Sequence, residues 1–142
     1  MHLKPIQLRV NQMPSDRYAV VTDAPVFSWS AALQSAAAVT TYRITVTDGN
    51  ELLWDSGEKK NENAAVYEGK PLSPGMRLTW RLCLTDENGN RGEETACFRV
   101  VPKTLRAPWI TKADQPKSRP IYLAKQFTIQ KDIARADLYV SG

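Results

Sequence analysis

Histidine occurs once in this chain, as His2, and cysteine only twice, as Cys83 and Cys97. A serine or cysteine nucleophile needs a histidine or equivalent base within hydrogen-bond reach, and none is spaced for that role. Two cysteines and one terminal histidine also fall short of a four-ligand structural zinc site. Neither a metal nor a cofactor is expected. No apolar run approaches the roughly 18 residues of a membrane helix, so no membrane partner is expected. The opening stretch, MHLKPIQLRV, lacks a basic segment followed by an apolar one. It is not read as a secretory leader, and a cytoplasmic location is expected. Gly49, Gly69, Gly75 and Gly89 are read as turn residues, because no helix start follows any of them to cradle a phosphate.

Charge is scarce in a different sense. The formal net charge is +4, yet residues 1–100 hold 11 Lys/Arg against 12 Asp/Glu, and residues 101–142 hold 8 against 3. The excess belongs wholly to the last third, which has no interleaved aromatic run. That pattern reads as a solvated surface, and no nucleic-acid partner is expected. The acids Glu51, Asp55, Glu58, Glu62, Asp86, Glu87, Glu93 and Glu94 fall in turns and on outer strand faces. They are expected to form a solvated rim, not a facing carboxyl pair for acid–base catalysis.

What the chain does have is strand pattern. Leu78, Trp80, Leu82 and Leu84 alternate with polar residues between Pro74-Gly75 and Asn88-Gly89, a half-buried strand closed by a hairpin turn. Ile6, Leu8 and Val10 form a first strand, with Asn11 to Asp23 read as a connection. Phe27 and Trp29 face one way in a second strand. Ala31 to Thr40 reads as a loop, and Tyr42, Ile44 and Val46 form a third strand. Asp48-Gly49-Asn50 turns it into Glu51–Trp54, Ala64 to Tyr67 follows, and Glu93 to Val100 returns with Ala96, Phe98 and Val100 inward. Seven short strands at about ten-residue spacing predict an all-β sandwich over residues 1–101. Trp29 and Trp80 are expected in its core. Cys83 and Cys97 are placed on the outer faces of neighbouring strands. A cross-strand disulfide is geometrically open there, and free thiols are expected in a chain read without a secretion signal.

Residues 102–120 read as a basic linker, broken by Pro102, Pro108, Pro116 and Pro120, each fixing φ and removing a donor. Within it, Trp109-Ile110 is an apolar pair of the kind that docks on something. Residues 121–142 then show Leu123, Phe127 and Ile129 in a strand pattern and Ala134, Ala136, Leu138 and Val140 in a second. Two strands cannot bury an apolar face alone, so these are expected to begin a second, incomplete sandwich or to complete the first. Trp54, Tyr67 and Trp109 are the candidate contacts for carbohydrate or for another domain, with core or domain-interface packing expected ahead of a sugar platform. Asp55 and Ser56 are expected to bond nearby backbone and end their strand.

The order Pro25-x-Phe27-x-Trp29, Tyr42-x-Ile44-x-Val46, Leu53-Trp54-Asp55-Ser56-Gly57, Tyr67-x-Gly69, Leu72 and Trp80-Arg81-x-Cys83 resembles the N-terminal region of bacterial α-L-rhamnosidases. Trp109-Ile110, Phe127 and Ile133-Ala134-Arg135-Ala136-Asp137-Leu138-Tyr139-Val140 continue the resemblance. It implies a fibronectin type III-like domain ahead of a second β-sandwich. It also implies that the catalytic acids of such an enzyme sit in an (α/α)6 barrel far downstream, so no catalytic residue is expected in this chain. Its partners would be the downstream domains of a parent glycosidase, with carbohydrate as a further candidate. One departure is visible: Leu78 stands where fibronectin type III domains carry a corner tyrosine, so the corner is expected to be held by packing alone. The alternatives are a stand-alone fibronectin type III-like protein-binding module, or a carbohydrate-binding module using exposed aromatics.

Overall fold

A computed structural model describes residues 3–15, 19–33, 37–104 and 124–133. The chain divides into two compact units, Met1–Leu105 and Arg106–Gly142. In the first, the strands are β1 (Leu3–Val10), β2 (Met13–Pro14), β3 (Val20–Val21), β4 (Val26–Leu33), β5 (Val39–Asp48), β6 (Glu51–Asp55), β7 (Lys59–Lys60), β8 (Ala64–Val66), β9 (Arg77–Asp86) and β10 (Arg91–Val100). A four-stranded sheet runs β2-β1-β4-β8 and a six-stranded sheet runs β3-β10-β9-β5-β6, with β7 pairing β5. All seven strands expected from the alternation form. The additions are two-residue strands, too short to leave a period in the sequence.

The core lies where the inner rows of the two sheets meet. Leu78, Trp80, Leu82 and Leu84 of β9 are fully enclosed, as are Ile44 and Val46 of β5 and Phe27 of β4. Phe27 is the aromatic hub, with ring centroids 4.6 Å from Trp80, 5.8 Å from Phe98 and 5.9 Å from Trp54. Trp29 is buried as expected, packed on Tyr42 at 4.9 Å.

Four details correct the reading from sequence. First, the inward row of β1 is Leu3, Pro5, the half-buried Leu8 and Val10, so that Leu8 and Val10 face the core as the alternation has them and Ile6 does not. The register against β4 shifts between Ile6 and Arg9, with Gln7 at φ 51°. This bulge adds one residue and reverses the phase of everything before it. Second, Asn11 to Asp23 is more than a connection: Val20 and Val21 pair in parallel with Arg99 and Val100. Third, the reading of Ala31 to Thr40 as a loop was too wide, since β4 continues to Leu33 and β5 begins at Val39.

Fourth, the corner at Pro74-Gly75 is not held by packing alone. Gly75 N donates to Val100 O at 2.8 Å, and Val100 N donates to Met76 O at 2.9 Å. The turn is thereby laced to the end of the last strand. A tyrosine does bond back to backbone nearby, from a different strand: Tyr67 Oη donates to Lys70 O at 2.8 Å.

In the second unit, residues 124–133 form no strand, and Phe127, Ile129 and Ile133 are 73%, 51% and 59% exposed. The apolar alternation expected across Leu123–Ile129 is therefore not realised as a strand at 124–129. A strand is a paired element, and its ladder needs a partner. Trp109 and the Ala134–Val140 segment lie outside the described residues.

Candidate functional site

The candidate contact residues Trp54 and Tyr67 sit together, and both are buried. Trp54 is 8% and Tyr67 5% exposed, with their rings edge-on at 5.3 Å. Neither offers a ring face for a sugar to stack on, which corrects their candidacy as an exposed platform. Burial also pushes the Tyr67 phenol up in pKa. Their placement follows from a bulge in β6: Val46 opposes Trp54 but Thr47 opposes Leu52, so Leu53 is the extra residue. Two consecutive side chains, Leu53 and Trp54, can then both point inward. Gly69 closes over this pair. A Cβ there would meet Trp54 Cβ at 2.5 Å and the Tyr67 hydroxyl at 2.5 Å, so the glycine is required by close approach.

The residues after Trp54 are structural in detail. Arg43 Nε donates to Asp55 Oδ1 at 2.9 Å, and Arg43 Nη2 reaches Asp55 Oδ2 in a fork-on-fork pair. Gly57 N donates to the same Oδ1 at 3.0 Å. The guanidinium bond, aided by the backbone N–H, holds the Asp55 carboxyl below the usual carboxylate range. Ser56 Oγ accepts from Ile44 N at 2.8 Å and donates to Gly57 O at 2.7 Å. Gly57 takes φ +65°, releasing the chain from the strand. Trp-Asp-Ser-Gly thus ends a strand, as expected, and staples it to β5.

Asp86 departs from the solvated rim. It is 4% exposed and accepts from Asn88 N at 2.9 Å, Asn90 N at 2.8 Å and Asn90 Nδ2 at 2.9 Å. The Asn90 side chain first, and the backbone donors after it, lower its pKa. This carboxylate organises the hairpin turn between β9 and β10.

The outer face of the six-stranded sheet carries a concavity of about 650 Å³. Its floor is a lattice of cross-strand neighbours. Arg43, Cys83 and Glu93 lie side by side on β5, β9 and β10; Thr41, Thr85 and Arg91 flank them on one side, Thr45 and Arg81 on the other. The small Cys83 sits among longer side chains, which creates the hollow. Arg81 is ion-paired with Glu93, and Glu58 joins the rim. A glycosidase general acid is kept protonated by a dry pocket. Glu93 is 55% exposed and tied to an arginine, which is not such an environment.

Cys83 opposes Glu93 while Cys97 opposes Thr79, four residues away along β9. At about 3.3 Å per residue that offset exceeds the reach of a disulfide. Both cysteines are free. Among the described residues, no three His, Cys, Asp or Glu side chains are grouped to hold a metal ion.

Residues 5–101 match a family model described as the Rha78A-like, N-terminal immunoglobulin domain. An α-L-rhamnosidase of Alteromonas sp. (strain LOR) is 25% identical over 98% of this chain and 18% of its own length. An α-L-rhamnosidase of Formosa agariphila is 27% identical over 83% of this chain and 15% of its own length. The chain therefore spans less than a fifth of these relatives. Among solved structures, the Streptomyces avermitilis α-L-rhamnosidase complexed with L-rhamnose superposes with TM-score 0.61 at 20% identity, over 70% of this chain and 11% of that one. The α-L-rhamnosidase from Dictyoglumus thermophilum gives 0.60 at 23% identity, over 69% and 12%. At such identities the two structures speak for the fold. With its sandwich, its strand-ending Trp-Asp-Ser-Gly and a match over residues 5–101, the chain belongs to the Rha78A-like N-terminal immunoglobulin-domain family.

Proposed function

We propose that this chain is the non-catalytic N-terminal accessory region of an α-L-rhamnosidase-like glycoside hydrolase. The observation that carries this reading is the match of residues 5–101 to a domain defined by its N-terminal place in such proteins. Hydrolysis of terminal α-L-rhamnose would then belong to a downstream catalytic barrel, and the sandwich would pack against that body or shape access to it. Residues 102–120 would act as the linker, and residues 121–142 would open the second sandwich.

The described chemistry supports a scaffold role. Among the described residues, the two carboxylates with displaced pKa, Asp55 and Asp86, are both displaced downward by hydrogen bonds that hold turns. A general acid needs displacement upward. The test is an assay on an aryl α-L-rhamnoside with two proteins: the purified 142-residue chain, and the polypeptide continued to the end of its reading frame. The short chain is expected to leave the substrate intact and the continued one to hydrolyse it. Turnover by the short chain, lost on substituting one of its own acidic residues, would overturn the proposal.

A further inference from the structure

The β4–β8 part of one outer face differs in charge from the outer face of the six-stranded sheet, and the difference assigns them different surroundings. On the six-stranded sheet, the outward side chains include Arg43, Arg81, Arg91 and Glu93, with two of the arginines already ion-paired. Burying such a face would strip water from several charges, at a cost that pairing alone does not recover. On the four-stranded sheet, Phe27 and Trp29 point inward, so Val26, Ser28, Ser30 and Ala32 of β4 point outward, joined by Ala64 and Val66 of β8. None carries a charge. Val26 and Val66 are direct cross-strand partners, 42% and 56% exposed, and make an apolar pair on a surface where polar residues are the norm.

Charged groups stand around this patch and not within it. Lys4 and Arg9 flank it on β1, opposite Ala32 and Ser28. Glu62 and Glu68 bracket β8, and Glu68 pairs with Lys59 at 3.3 Å. An uncharged centre inside a charged rim is the anatomy of a protein–protein contact. Small side chains also let a partner approach the sheet closely.

We infer that the β4–β8 outer face is where this domain docks on the remainder of its own longer polypeptide, leaving the arginine-bearing face in water. The inference rests on the accessory-region reading. It commits to that occupant because the curated relatives extend the matched region more than fivefold, so most of each lies outside it. A separate partner protein or a second copy of the chain are outcomes that the test separates.

The test compares amide hydrogen exchange in the 142-residue chain and in the polypeptide continued to the end of its reading frame. Exchange across Val26–Ala32 and Ala64–Val66 is expected to slow by about tenfold or more in the longer protein, with β9 and β10 little changed. Val66→Lys is expected to leave the melting temperature of the short chain unaltered and to abolish that added protection in the long one. Added protection on the arginine face instead, or none on β4 and β8, overturns the docking face and leaves the accessory reading standing. Concentration-dependent protection in the short chain overturns it in favour of self-association. A reading frame that closes at codon 142 removes both.

Discussion

Trp80 is fully enclosed yet carries a polar N–H, and Ser15 resolves the conflict. The indole Nε1 donates to Ser15 Oγ at 2.6 Å, and that hydroxyl donates onward to Cys97 O at 3.2 Å. Truncation by Trp80→Ala removes the largest core side chain and should cost about 3–5 kcal/mol in denaturant melts. Ser15→Ala, which keeps the ring but orphans its donor, should cost about 1–3 kcal/mol. Arg81→Ala, on the solvent face, should cost much less than either. The role of Trp80 was legible in its alternating strand. That of Ser15 was not, because a lone serine in a polar stretch gives no sign of a partner 65 residues away.

Asp86 gives a pH dependence with a definite sign. Its folded carboxyl titrates below the ordinary aspartate value, so in that window the unfolded chain binds more protons and stability rises with pH. The contribution is complete above the unfolded value of about 3.9 and is lost as pH falls through the folded value. Asp55 acts in the same direction through Arg43 and Gly57. Urea midpoints measured from about pH 5 down to about pH 2 should therefore fall, and Asp86→Asn should flatten part of that slope.

At the scale of elements, the bulges decided where sequence reading succeeded. Strands without one, β9 and β10, put their alternating residues where the period predicts. In β1 the extra residue at Gln7 inverts the phase, and a two-residue period cannot announce its own interruption. Trp-Asp-Ser-Gly was read as a strand end, and it is one. That Leu53 and Trp54 would both turn inward depends on register against β5, which is a tertiary fact. Gly69→Ala should be destabilising by about 1–3 kcal/mol through overpacking against Trp54 and Tyr67. Ser56→Ala should cost more than Arg43→Ala, since it leaves the Ile44 N–H without its acceptor, whereas the exposed guanidinium contributes about 0–1 kcal/mol. Thermal melts of the three variants, ranked against the parent chain, check both statements.

At the scale of the molecule, the first unit contains its own core, and the strands that build it end at Val100. Residues 1–105 alone are expected to melt within a few degrees of the 142-residue chain and to aggregate less, because Phe127, Ile129 and Ile133 leave with the second unit. Unfolding of the shorter chain would instead make residues 106–142 an integral part of the sandwich. The all-β class and the seven main strands were readable from alternation and turn residues. Trp54 and Tyr67 were read as packing residues ahead of a sugar platform, and what the sequence left open was whether the opposite sheet or another domain covers them, which depends on that sheet being in place.

The parallel pairing of β3 with β10 has a further consequence for how the domain is made. Arg99 N bonds Ala19 O and Val101 N bonds Val21 O, while Lys103 pairs with Asp23 across 80 residues of sequence. Closing a loop of that size spends chain entropy before any contact within it is secured, which places the domain among slow-folding all-β topologies. A chain emerging from the ribosome meets the same constraint: the edge of the six-stranded sheet near Val20 has no neighbour until Arg99 has left the exit tunnel. Synthesis must run almost the full length of the first unit before the sandwich can shut, and until then the aromatic cluster around Phe27 is open to chaperones.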